Sequence, residues 1–341
     1  MLMTMSQGDS HNFNRFVFEG VSGGTRVYVK PRPIFWELFF FGANSPLKTL
    51  FTKMTIKMEL VHATEQSTHD NKVVAINSSK RPITPKDFYE LGQLLGYCYY
   101  FGIQDIHKDN LLITNNGLQV VDVEQTFSDL LLPNQTLLLP TDKKLAWSAG
   151  LNALTQDPLE LIPNTEAKAL FDGYQSITEY FFNQLSGIRE LLQAHESDFK
   201  NYPIRIFFRG TRDYANLLEK KTTIENLLPE ENIQLERGDI PYFFKFINRN
   251  QVYYYTSESW EYKEVALPID FIKYVDFCAK DPLDLFTNQR LENAWACGSL
   301  YLAKNLPTVP ANKLKWETCA IDKTESYLSF TSKNLNMTTP L

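Results

Sequence analysis

The sequence is short of cysteine, of excess positive charge and of long apolar runs, and each shortage removes a class of function. Its four cysteines, Cys98, Cys278, Cys297 and Cys319, are scattered with no CxxC spacing. Neither a zinc site nor a disulfide framework is indicated, and the thiols are expected to be reduced and mostly buried. A net charge of -6 argues against nucleic acid as the main partner, because counterion-release binding needs a basic surface. No apolar run approaches the roughly 18 residues a membrane helix requires, so no transmembrane segment is expected. The first fifteen residues lack the basic-then-apolar pattern of a signal peptide. The default location is therefore a cytosol. There is no internal repeat and no low-complexity linker.

What is present is an ordinary globular composition: 341 residues, 43% hydrophobic and 22% charged, enough for two or three packed lobes. The aromatic run Phe35 to Phe41 reads as a core-facing segment rather than a membrane contact. Phe16 to Phe18 and Thr25 to Lys30 read as strands joined through Gly20, Ser22, Gly23 and Gly24. Further strands are expected over 54–62 and 72–76, completing a small sheet-rich lobe. Thr84-Pro85-Lys86-Asp87 is a helix start, with a hydroxyl cap, proline at the first position and an acid in the first turn. Apolar residues at helical spacing carry that helix to about Phe101. Leu111 to Thr114 and Leu118 to Val123, around Asn115-Asn116-Gly117, read as a hairpin. One long helix or two shorter ones are expected over 166–199, a late strand at Tyr253 to Tyr255, a late helix over 284–303 and a frayed C-terminus.

The chemistry concentrates in Gln104-Asp105-Ile106-His107-Lys108-Asp109-Asn110 and in Val120-Val121-Asp122-Val123-Glu124. Asp105 lies five positions before Asn110, and Asp122 twelve after it. That spacing suits phosphoryl transfer: Asp105 to orient or deprotonate a hydroxyl, Asn110 and Asp122 to hold the magnesium that bridges nucleotide phosphates. Lys30 ends a strand 75 residues before Asp105, as expected of a lysine that contacts phosphates. Glu37, an acid among Phe and Trp, is a candidate partner for Lys30, in competition with Glu59 and Glu65. Gly20, Gly23 and Gly24 suit a hairpin turn first and a phosphate cradle second. Glu124 shares a strand face with Asp122. It would hold a second metal or orient His107; the alternative is a structural histidine–carboxylate bond.

Asp105-Ile-His107-Lys-Asp-Asn110 together with Asp122-Val-Glu124 resembles the dehydratase domain of class II lanthipeptide synthetases, the LanM family, whose core is a modified kinase fold. Tyr28-Val29-Lys30-Pro31-Arg32 resembles that family's lysine strand. Ile204-Arg205-Ile-Phe-Phe-Arg209-Gly-Thr211-Arg-Asp-Tyr214 resembles its later Arg/Thr segment, and Gly238-Asp239-Ile240-Pro241-Tyr242-Phe243 another recurrent stretch. The likeness runs in order over about 16–300. It implies an α+β, atypical kinase-like fold with a small β-rich N-lobe and a larger helical C-lobe. It also implies ATP and magnesium as cofactors, and phosphorylation of Ser/Thr hydroxyls of a peptide or protein followed by phosphate elimination. Lys30, Asp105, His107, Asn110, Asp122 and Glu124 would then serve phosphorylation, and Arg205 and Thr211 elimination.

The expected organisation is a flexible N-terminus over 1–15, a nucleotide-binding lobe over 16–80, a helical lobe with the catalytic loop and Arg/Thr segment over 81–305, and a C-terminal segment over 306–341. The family's long N-terminal extension and zinc cyclase are not expected in this chain, and with no adjacent Cys-His pair ring formation is not expected either. A trimmed core of this kind would also suit an effector kinase secreted into a host cytosol. Two rival readings stay open: a small-molecule kinase, since Asp-Ile-His-x-x-Asn also resembles the aminoglycoside phosphotransferase loop, and a non-catalytic pseudokinase-like binding module.

Overall fold

The computed structural model describes residues 2–51, 63–65, 71–140, 148–307, 313–316, 319–323, 327–331 and 336–340. The strand expected over 54–62 lies outside them. In chain order the elements are β1 (Leu2–His11), β2 (Arg15–Ser22), β3 (Thr25–Lys30), α1 (Phe35–Phe41), β4 (Ala63–Glu65), β5 (Asn71–Val74), α2 (Pro85–Tyr100), β6 (Leu111–Thr114) and β7 (Gly117–Val120). Then come α3 (Asn164–Asn183), α4 (Leu185–Ala194), α5 (Glu196–Phe199), β8 (Ile204–Ile206), α6 (Thr211–Leu218), α7 (Pro229–Glu236), β9 (Phe243–Lys245), β10 (Tyr253–Tyr255) and β11 (Tyr262–Glu264). The chain closes with α8 (Ile269–Phe277), α9 (Pro282–Leu285), α10 (Asn288–Asn305), β12 (Lys313–Trp316), β13 (Cys319–Lys323), β14 (Tyr327–Thr331) and β15 (Asn336–Pro340). The protein is a mixed α+β fold. Among the described residues no helix is long and apolar enough to cross a membrane.

The chain divides into two compact units, one of Met1–Leu38, Val61–Ile76 and His195–Lys280, the other of Phe39–Leu60, Asn77–Ala194 and Asp281–Leu341. This departs from the expected boundaries. The Arg/Thr segment belongs with the N-terminal strands, not with the helical part: Arg205 Nη2 lies 3.4 Å from His11 Nε2, and in the later Gly238 to Phe243 stretch Ile240 N–H donates to the Ser10 carbonyl at 2.8 Å and the Gly238 carbonyl accepts from Ser10 Oγ at 3.0 Å.

The first unit carries an antiparallel sheet of order β1-β2-β3-β5-β4 and a second of order β11-β10-β9-β8. Where a flexible N-terminus was expected, β1 pairs with β2, from Leu2↔Val21 to His11↔Arg15. Its residues are largely polar, so pairing and not intrinsic propensity makes the strand. Gly23 and Gly24, at φ +57° and +82°, form the two-residue turn between β2 and β3 that left-handed backbone requires. A Cβ at either would meet nothing within 4 Å. The aromatic run faces the interior: Phe35 stacks on Tyr202 with centroids 4.0 Å apart, and Trp36 Nε1 donates to the Pro203 carbonyl at 2.8 Å.

In the second unit α2 and α3 pack through glycines. A Cβ at Gly92 would collide with the Leu170 carbonyl, and one at Gly173 with that of Tyr89. Phe40, Phe101 and Phe181 surround Tyr97, all buried, and the Tyr97 hydroxyl donates to the Phe40 carbonyl at 3.0 Å. The helical stretch over 166–199 is three pieces, α3, α4 and α5. The C-terminus expected to fray forms β15, which pairs with β14 from Tyr327↔Pro340 to Thr331↔Asn336. The Tyr, Phe and Thr residues of β14 are good strand formers.

The start of α2 is as expected. Asp87 accepts from the Thr84 N–H and hydroxyl, both at 2.9 Å, and pairs with Arg81, whose Nη1 is 2.9 Å away. Burial pushes the Asp87 carboxyl up, but the Arg81 guanidinium and the Thr84 donors outweigh it and leave the pKa below its ordinary value. A carboxylate held low when folded stabilises the protein above its unfolded pKa, and that stability is lost as pH falls through the folded one. In unfolding titrations the wild type should therefore lose stability on acidification below about pH 4 more steeply than Asp87→Asn; parallel curves would show that the pair is not coupled to folding. Independently, Gly92→Ala should lower stability by about 1–3 kcal/mol through overpacking, read from denaturant midpoints, whereas Gly23→Ala should act only through its backbone conformation.

Candidate functional site

Lys30 is placed by strand alternation. Val27 and Val29 point inward, Lys30 pairs with Asn71 of β5 at the strand's end, and Pro31 and Pro33 stop the sheet before α1 begins. The lysine is 8% exposed and Glu37 2%. Lys30 Nζ lies 3.2 Å from Glu37 Oε1, and Arg32 Nη2 reaches the same oxygen at 2.5 Å. Arg32 is held in turn by the Asn71 side chain, which donates to its carbonyl at 2.8 Å. Glu37, one of three acids in competition, is a carboxylate beside Lys30 and serves two cations; Glu59 and the Glu65 side chain lie outside the described residues. Among the described residues the buried Glu37 Oε2 has no hydrogen-bond partner, although buried carboxylate oxygens are ordinarily paired.

The loop after α2 is built by its backbone. Gly102, at φ +63°, turns the chain out of the helix, and Ile103 and Ile106 are fully buried anchors. Ile106 N–H donates to the Thr136 carbonyl at 3.0 Å and Lys108 N–H to that of Ser148 at 2.9 Å, with a bridge from His107 to Ala149. Between these bonds Asp105 sits at φ +63°, uncommon for a residue with a side chain. Its carbonyl accepts from Asn110 Nδ2 at 2.9 Å. His107 Nδ1 accepts from the Asp109 N–H at 3.2 Å, so this ring nitrogen is the unprotonated one in that bond.

The hairpin β6–β7 begins next to Asn110, with Leu111 opposite Val120. Val121 N–H donates to the Asn110 carbonyl at 3.0 Å, so Asp122 follows directly on a backbone bond to the asparagine. The strand ends at Val120, short of the expected Val123. Beyond it Val123 is buried while Asp122 and Glu124 are half-buried, and the two acids lie past the strand whose face they were expected to share. A buried glutamate on α2 fixes the hairpin: Glu90 Oε2 accepts from the Leu118 N–H at 3.1 Å.

Arg205, on β8, is 6% exposed and lies over the Phe207 and Tyr242 rings, 4.2 and 4.8 Å from their centroids. Its Nη2 is 3.4 Å from His11 Nε2. His11 Nδ1 is 2.8 Å from the Ile240 carbonyl, an oxygen that only accepts, so Nδ1 carries the proton and Nε2 turns its lone pair to Arg205. Sequence reasoning missed His11, and the cue available was a histidine placed just before the polar Asn12-Phe13-Asn14 turn. Thr211 opens α6 after the Gly210 cap and is half-buried. Arg209 is structural: its Nε pairs at 2.9 Å with Glu231, which is fully buried.

Lys30, Glu37, Arg205 and Thr211 lie in the first unit; Asp105, His107, Asn110, Asp122 and Glu124 lie in the second. Among the described residues no group of three or more His, Cys, Asp or Glu is arranged to hold a metal ion. Magnesium on nucleotide phosphates needs only one or two protein oxygens, and Asn110 and Asp122 supply that kind of donor set. The Asn110 amide nitrogen is committed to the Asp105 carbonyl, so its oxygen is the atom that would face a metal.

The family described as a domain of unknown function, DUF4135, matches residues 2–154. The matched stretch contains Lys30, Glu37 and the whole Asp105 to Glu124 cluster but stops before Arg205 and Thr211. No curated protein matches the chain.

Removing one partner of a buried ion pair leaves the others uncompensated. Glu37→Ala should destabilise the protein by about 3–5 kcal/mol, since Lys30 and Arg32 each lose a buried counter-charge. Lys30→Ala should cost less, because Arg32 stays on Glu37. Chemical denaturation of both variants checks the order, and the reverse order would show that Arg32 is not the second partner.

Proposed function

We propose that the protein is an ATP- and magnesium-dependent phosphotransferase of kinase-like, two-lobed fold. It acts on Ser/Thr hydroxyls of a peptide or protein, in the manner of the dehydratase domain of class II lanthipeptide synthetases. The observation that carries this reading is the Lys30–Glu37 pair. A lysine at a strand end is ordinarily a solvated charge, yet this one is buried on the third strand of its sheet beside a buried acid on the following helix. Protein kinases use a lysine on that strand and a glutamate on a helix in the same way.

Each candidate then has a role. Lys30 clamps nucleotide phosphates, with Glu37 orienting it and Arg32 keeping Glu37 compensated. Asn110 and Asp122 hold magnesium, which when bound offsets the charge of the phosphates. Asp105 receives the proton of the acceptor hydroxyl. His107 shapes the loop, and Glu124 stands beside Asp122 as a second carboxylate. Arg205 supplies the planar, permanently charged group suited to a departing phosphate, with Thr211 next in the same segment, so elimination after transfer belongs to the proposal.

The test is to incubate the full chain with ATP, magnesium and Ser/Thr-containing peptides and follow nucleotide turnover and peptide mass. Wild type should turn over ATP, and Asp122→Ala should reduce turnover by at least about a hundredfold, roughly 2.7 kcal/mol of barrier. A peptide gaining one phosphoryl group marks transfer, and one losing a water marks elimination. Equal turnover by the two proteins would sink the phosphotransferase reading.

A further inference from the structure

The turn between β1 and β2 is strained and clamped. Asn12, Phe13 and Asn14 all have left-handed backbone, at φ +48°, +72° and +57°. Asparagine tolerates that conformation, phenylalanine does not, and three in succession persist only where the surroundings impose them. The imposing group is Asp239, fully buried, whose Oδ2 accepts from the Phe13 N–H and Oδ1 from the Asn14 N–H, each at 2.8 Å. Successive amides converging on one carboxylate form an anion-binding nest, filled here by the protein's own side chain. Arg237 backs the clamp, with its guanidinium 3.9 Å over the Phe13 ring and Nε 3.2 Å from Asp239 Oδ2. On the near side, Ile240 N–H bonds the Ser10 carbonyl and the Ile240 carbonyl receives His11 Nδ1–H. The clamp therefore fixes the residues on both sides of His11, and with them which ring nitrogen faces Arg205.

We propose that Asp239 is the positioning residue of the Arg205 phosphate site: by locking the β1–β2 turn it holds His11 with Nδ1 protonated and Nε2 toward the guanidinium. Arg205 is thereby kept over Tyr242 and Phe207, ready for a phosphate oxygen. This rests on the reading above that Arg205 meets phosphate. Asp239 itself touches no ligand; it acts through His11.

The experiment uses the full chain with inorganic phosphate as the probe and two readouts. Binding is measured by calorimetry, and the His11 tautomer by long-range proton–nitrogen spectra of histidine-labelled protein, assigned by the signal lost in His11→Gln. The expected result is an Nδ1-protonated His11 in the wild type. Asp239→Asn, still melting cooperatively, should lose that single tautomer and bind phosphate at least about tenfold more weakly. Asn14→Gly, which keeps the N–H and suits left-handed backbone, should match the wild type. If Asp239→Asn fails to fold, the comparison of Asn14→Ala with Asn14→Gly replaces it, since only alanine strains the turn; weaker phosphate binding by the alanine variant supports the proposal and equal binding overturns it. An Nε2-protonated His11 in the wild type overturns it outright. So does Asp239→Asn that keeps the wild-type tautomer and affinity while Arg205→Gln loses affinity, an outcome that leaves the Arg205 reading standing. Phosphate binding that is absent, or unchanged by Arg205→Gln, overturns the Arg205 reading itself.

Discussion

The close approach of α2 and α3 is the constraint on which the second unit depends. At Gly92 and Gly173 each helix backbone lies where the other's Cβ would be, so the position of α2 is set by contact and not by side chains that can adjust. Everything chemical in that unit hangs from α2. Its C-terminal end releases the loop that carries Asp105 and Asn110, and its middle holds the β6–β7 hairpin through Glu90. Burial raises the Glu90 carboxyl above its ordinary range, only partly offset by the Leu118 N–H and nearby cations. A buried carboxylate on α2 thus anchors the hairpin that leads on to Asp122.

The first unit solves a different problem, that of holding cations inside. Lys30 and Arg32 share one oxygen of Glu37, while Arg205 is held by aromatic faces and a neutral imidazole. A lysine offers a compact point charge, whereas a guanidinium is planar and stacks on aromatic faces.

Legibility in the sequence followed the range of the interaction. Thr84-Pro85-Lys86-Asp87 announced α2 because a cap is a contact among neighbours, whereas Glu37 could be named only as one of three candidate partners of Lys30, because an acid within an aromatic run has few reasons to be there but no local pattern ranks it above Glu59 or Glu65. The strand β1 could not be read, since its residues become a strand only by pairing with β2. The His11–Arg205 contact spans 194 positions, and the Asp239 clamp on Phe13 spans 226; no local pattern encodes such pairings. The same long-range bonds draw the Arg/Thr segment into the unit of the N-terminal strands, which a linear division of the chain could not anticipate.

The open Gly23–Gly24 turn has a practical corollary. A Cβ at either glycine would meet nothing within 4 Å, and the turn joins the two strands at the end away from Lys30. Loop length there is nearly free thermodynamically, so the turn is the natural point for grafting a fluorophore or an epitope onto the lysine-bearing sheet while keeping the lysine end of β3 at a distance from the insertion.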